Sequence, residues 1–162
     1  SIEIRHEDRS KALRILEIAK TEITRLESIF SLYRPDSALC SLNQDGILRN
    51  PPLELVEILG QARQFGELTE GAFDVTVQPL WQLYAAHFAA NPDDVAGPPV
   101  HRIEAVRRRV DYRAVAMDGP RIGFLRPGMA VTTSASGWRM RASSPPAASI
   151  PPFHIRSMPT AA

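Results

Sequence analysis

After Val131 the chain stops supplying material for a core. Residues 132–162 contain no Asp, Glu, Leu or Val and are rich in Ser, Ala and Pro, with prolines at Pro145, Pro146, Pro151, Pro152 and Pro159. A segment with so few large apolar side chains cannot offset the entropy lost on ordering it. The expected organisation is therefore one folded domain over residues 1–131 and a disordered or poorly packed tail over 132–162. Two origins fit the tail. One is a natural extension; the other is an out-of-frame reading of a GC-rich gene, which favours Arg, Ala, Ser and Pro.

The remaining stretch is long enough to bury a core. A formal net charge of +1 gives no general attraction for nucleic acid or an anionic membrane surface. The single cysteine, Cys40, excludes an internal disulfide and a multi-cysteine metal site. No apolar run reaches the roughly 18 residues a membrane helix needs. The first residues show no basic-then-apolar leader. The chain opens on Ser1, so a removed leader and a start further upstream both fit.

Hydrophobic spacing predicts an α+β domain, with a mixed sheet packed against helices. "SIEIR" alternates as a short strand. Ala12, Leu16, Ala19, Ile23, Leu26 and Phe30 then fall on one face of a long helix that stops near Pro35 and Asp36. A second helix is expected from Asn50 as cap and Pro51 or Pro52 in the first turn, burying Leu55, Ile58, Ala62 and Phe65. Gly66 and Gly71 weaken and end it. "VQPLWQLYAAHFAA" and "HRIEAVRRRV" read as further helices. "YRAVAMDGPRIGFLRPGMAVT" reads as three strands separated by turns at Asp118-Gly119-Pro120 and Arg126-Pro127-Gly128.

Few residues suggest chemistry. His6, His87, His101 and His154 are scattered without ligand spacing, and there is no glycine-rich phosphate loop. Cys40 has no neighbouring histidine and reads first as a small, partly buried residue. The run Arg107-Arg108-Arg109 reads as a solvated face. "TEGAFDVTVQPLW", residues 69–81, is more suggestive. Asp74 is either a turn residue or an acceptor for a ligand donor. Gly71 and Ala72 would let a ligand approach the backbone, with Phe73 walling an apolar pocket. Tyr33 is either a rim residue or a platform for a planar ring. Asn43 can satisfy backbone groups or a ligand.

Taken together, "LESIFSLYRPDSALCSLN" and "ELTEGAFDVTVQPLW" resemble the N-terminal half of the ApbE family, the FAD:protein FMN transferases. The matching residues are Glu27, Ser31, Tyr33, Ser37, Leu42 and Asn43, then Thr69, Gly71, Ala72, Phe73, Asp74, Thr76, Pro79 and Leu80. Two motifs in order, separated by a helix of fitting length, make the resemblance fairly specific. It implies an ApbE-like fold and an enzyme that moves the FMN half of FAD onto a Thr or Ser hydroxyl of a target protein, releasing AMP. FAD would be the substrate and Mg²⁺ would neutralise the developing charge.

The resemblance carries flavin-nucleotide contacts onto Tyr33, Ala72, Phe73, Asp74 and, at the edge of the match, Thr132. It implies a flavin-acceptor protein of a respiratory or reductase-maturation complex as partner, and a periplasmic location. Beyond "AVT" the family's Gly-containing turn, its His motif and its late metal-binding residues are not recognisable. His154 in "PPFHIRSM" is no convincing substitute, and the family's N-terminal Met-Gly-Thr-like contact is also missing. The chain therefore reads as a truncated, ApbE-like half, with no metal ligand and no catalytic residue assigned. A non-catalytic flavin-nucleotide binding module and an inactive remnant remain as alternatives.

Overall fold

The computed structural model describes residues 7–133. Helix α1 (Arg9–Phe30) begins at Asp8, whose Oδ1 accepts from the amides of Ser10 and Lys11 at 2.8 and 3.1 Å. Such a cap satisfies donors that no helical carbonyl can reach. Helix α2 (Ala38–Asp45) follows a tight link, and Gly46 closes it at φ 72°. Strand β1 (Ile47–Arg49) leads into α3 (Leu53–Leu68), then come α4 (Gln78–Ala90) and α5 (Val100–Arg107). A 3₁₀ turn at Tyr112–Ala114 runs into β2 (Val115–Asp118), which forms a hairpin with β3 (Arg121–Phe124). The described strands pair antiparallel in the order β1-β3-β2. Ile47 lies opposite Gly123, and Val115 opposite Phe124. The α+β class read from the sequence is the class of the structure.

One core joins these elements. Leu39 and Leu42 of α2, Leu55, Leu59 and Ala62 of α3, Val75, Tyr112, Val115, Ile122 and Val131 are buried together with Ile29. Tyr112 is 1% exposed, and its ring lies against Gly66 on α3. A Cβ at Gly66 would sit 2.7 Å from the Tyr112 ring. The glycine that the sequence reads as weakening α3 is therefore what lets this ring approach the helix.

Several local expectations change. Asn50 does not cap α3. It sits at φ 48°, its amide donates to the Pro120 carbonyl at 2.7 Å, and Pro52 holds the cap position without a side-chain bond. The buried stripe of α3 is Leu55, Leu59, Ala62 and Gly66. Ile58 and Phe65, on the predicted stripe, are exposed. The neighbour that decides the helix's rotation is Tyr112, and a ring can enter only over a residue without a side chain. On α1, Ala12, Leu16, Ala19, Leu26 and Phe30 are half-buried and Ile23 is exposed, while Ile29 is the residue the helix buries fully.

Residues 129–132 form no ladder strand. The amide of Val131 donates to Asn43 Oδ1 at 2.7 Å, and its carbonyl accepts from Asn43 Nδ2 at 2.9 Å. One side-chain amide thus replaces the strand neighbour that the alternation suggests. The expected "SIEIR" strand lies outside the described residues, and so does nearly all of the expected 132–162 tail.

Candidate functional site

The two motifs are built by different local rules and meet through a third segment. In the first motif, Ser31 and Ser37 weld the end of α1 to the start of α2. Ser31 Oγ accepts from the amides of Tyr33 and Arg34, each at 3.1 Å. Ser37 Oγ donates to the Ser31 carbonyl at 2.6 Å and accepts from the Cys40 amide at 3.0 Å. Cys40 Sγ also donates to the Ser31 carbonyl, at 3.3 Å, as a small packed residue does. The link therefore holds a fixed shape while lifting Tyr33 to the surface, where it is 89% exposed. Arg34 pairs with Asp36 at 2.9 Å, and the hydrogen bond between them raises the guanidinium pKa and lowers that of the carboxyl.

A cleft of about 360 Å³ opens beside this link, lined by Tyr33, Pro35, Cys40, Asn43, Gln78 and Gln82 among others. The two glutamines come from the first turns of α4, Gln78 within the second motif and Gln82 directly after it. Sequence reasoning did not single them out. Their spacing of four, which places them on one helical face, was the available signal.

The second motif turns sharply after α3. Gly71 is at φ 80° and Glu70 at φ 51°, and the Gly71 amide donates to the Gly66 carbonyl at 2.7 Å. Thr69 Oγ1 accepts from the Phe73 amide at 3.0 Å. The Phe73 ring meets Phe65 edge-on, with centroids 6.2 Å apart. Ala72 is exposed, and Phe73 and Asp74 are half-buried. Asp74 Oδ1 accepts from the Thr76 amide at 2.8 Å and from the Thr76 hydroxyl at 2.5 Å, and Oδ2 accepts from the Tyr112 amide at 3.1 Å. Thr76 Oγ1 in turn accepts from the Asp111 amide at 2.8 Å. Asp111 Oδ2 pairs with Arg126 at 2.6 Å. This Asp111–Arg126 link was not foreseen; 15 residues of separation hide it from any local pattern.

The third segment closes the circuit. Asn43 grips Val131, and the next amide, that of Thr132, donates to the Val75 carbonyl at 2.9 Å. The second motif is thus tied to α2 through residues 131–132. Thr132 is 1% exposed, so it belongs to the interior of this junction. The described fold brings Thr132 to the Asp74 turn. Tyr33 stands over the cleft beside Asn43, while Ala72, Phe73 and Asp74 do not line that cleft. No group of three or more His, Cys, Asp or Glu side chains among the described residues is arranged to hold a metal ion. Asp74 and Asp111 are engaged as above, so the described residues do not fit a Mg²⁺ site. No described helix is long and apolar enough to cross a membrane.

Residues 1–138 match the profile of the ApbE family. The chain belongs to that family. It is 27% identical over 104 residues to the FAD:protein FMN transferase of Escherichia coli strain K12, covering 63% of this chain and 29% of that protein. It is 33% identical over 129 residues to the enzyme of the same name from Vibrio cholerae serotype O1, covering 74% of this chain and 37% of that protein. Among solved structures it resembles the flavin transferase ApbE from Vibrio cholerae, with a TM-score of 0.59 at 29% identity over 72% of this chain and 39% of that one. The apo flavinyl transferase ApbE of Pseudomonas stutzeri gives a TM-score of 0.62 at 22% identity, covering 75% of this chain and 38% of that one, and supports the fold. The chain therefore spans about a third of the length of the curated relatives it matches.

Proposed function

We propose that this chain forms one wall of an FAD site in a flavin transferase. The observation that carries the proposal is the junction just described. Both family motifs are present, and residues 131–132 tie them together through Asn43–Val131 and Thr132–Val75. On this reading Tyr33 offers a ring face to the planar part of the nucleotide, and the turn at Ala72–Phe73–Asp74, exposed at Ala72, offers close backbone approach. Thr132 supports that turn from within.

The reaction of the complete enzyme would be attack by an acceptor Thr or Ser hydroxyl on the FAD pyrophosphate, forming a phosphoester to FMN and releasing AMP. Magnesium would neutralise charge there. The residues of this chain bind and orient the nucleotide, and no step is assigned to them through the metal. The acceptor would be a protein of a respiratory or reductase-maturation complex, on the periplasmic side.

A second reading, a flavin-nucleotide binding module without catalysis, is favoured by the engagement of Asp74 and Asp111 with partners inside the chain. One experiment separates the two. The purified chain is titrated with FAD while flavin fluorescence is followed, then incubated with FAD, Mg²⁺ and an acceptor protein. A fluorescence change with little or no flavinylated acceptor is expected of this chain. No fluorescence change rejects both readings, and a strongly flavinylated acceptor rejects the binding-only reading.

A further inference from the structure

We propose that Asp74 is a positioning residue, acting on a bound nucleotide through the backbone of Ala72 and Phe73, with Thr76 as its partner in that role. The inference rests on the FAD reading above and assigns the work within that wall. The Asp74 carboxylate receives three hydrogen bonds from its own chain: two from Thr76, at the amide and the hydroxyl, and one from the Tyr112 amide. With about four lone-pair sites on a carboxylate, little acceptor capacity is left for a ligand.

The polarity of the relay is consistent throughout. The Thr76 hydroxyl gives its single proton to Asp74, so its oxygen is free to accept, and the Asp111 amide donates to it at 2.8 Å. Thr76 is fully buried and cannot itself touch a ligand. Asp74 thus clamps the turn to the 3₁₀ segment, 38 residues away along the chain. What the turn shows to solvent is Ala72, held between Gly71 at φ 80° and a Phe73 amide anchored on Thr69. A backbone contact requires that this geometry be set before the ligand arrives, and the clamp sets it.

The test compares Thr76→Val, Thr76→Ser, Asp74→Asn and the Thr76→Val/Asp74→Asn double variant in the full chain. Two readouts are taken: FAD affinity by fluorescence titration, and backbone amide exchange at Ala72 and Phe73 without FAD. Thr76→Val keeps the shape and removes the hydroxyl. It is expected to weaken FAD binding about three- to tenfold, the worth of one net hydrogen bond. Asp74→Asn is expected to do the same. The double variant should be no weaker than the worse single variant, as groups acting as one unit behave. Thr76→Ser, which retains the hydroxyl, should restore wild-type affinity, and exchange at Ala72 and Phe73 should quicken in the Val and Asn variants alone.

Wild-type affinity in Thr76→Val beside a large loss in Asp74→Asn would overturn the proposal, because Asp74 would then touch the ligand directly. Unchanged exchange in both variants would overturn it as well. If Thr76→Val does not fold, Asp74→Asn against Thr76→Ser decides by the same two readouts. If the wild-type chain binds no FAD, the FAD reading fails, and amide exchange alone still decides whether Asp74 and Thr76 position the turn.

Discussion

The junction around Asn43 and Asp74 and the first turns of α1 are both rich in apolar residues, yet they are packed very differently. At the junction, Leu39, Leu42, Leu59, Val75, Tyr112 and Val131 are buried, and the polar groups named above answer one another. Along α1, Leu13, Ile15, Ile18 and Ile23 are exposed, with Ile18 at 62%. A helical stripe is apolar because of its residues, but it becomes core only where another element faces it. Among the described residues, α2 meets α1 near its C-terminal end, where Ser31 and Ser37 fix the angle between them.

The comparison breaks if the two regions respond alike to truncation. Leu59→Ala at the junction should cost about 2–5 kcal/mol, the usual loss for a fully buried leucine, and would be read from urea unfolding. Asn43→Ala removes both partners of Val131, whose backbone is buried. A loss of about 1–3 kcal/mol is expected, with no change in the helical circular dichroism of the folded state. Ile18→Ser on α1 should shift stability by only about 0.5 kcal/mol or less. A loss from Ile18→Ser as large as that from Leu59→Ala would show that α1 is covered in solution.

The smallest effect is expected at Asp94. The Ala96 amide, and after it His87 at 2.7 Å, hold the Asp94 carboxyl below the usual carboxylate range. A depressed folded pKa contributes stability above the unfolded value and loses it as pH falls through the folded one. Acid titration below the usual carboxylate range should therefore release the end of α4 from the following loop, visible in the His87 ring signals by NMR. Because Asp94 is partly exposed and its pair with His87 is screened by solvent, global unfolding should move little.

How much of this was legible beforehand varies by element. The helices α1 and α3 are plain in the 3.6-residue spacing, because that spacing follows from local geometry alone, and α4 and α5 were also read as helices. Strand β1 was not, since three residues are too few to show alternation. The rotation of α3 was missed because Gly66 reads as a weak point when its partner ring, Tyr112, lies 46 residues on. The motif residues were legible as a set. What the structure adds is their surroundings: Asn43 bonds the backbone of Val131, and Thr132 is buried.

By itself, the sequence determined the helical periods, the end of α3 near Gly71 and, through its two motifs, membership of the ApbE family. These depend on neighbours a few residues apart or on patterns read in order. Only the tertiary structure decided which apolar faces are buried, that Asn43 replaces a strand neighbour for Val131, and that Asp74 reaches Tyr112. Those outcomes depend on groups tens of residues apart, whose meeting is set by packing and by the need of buried polar groups for partners.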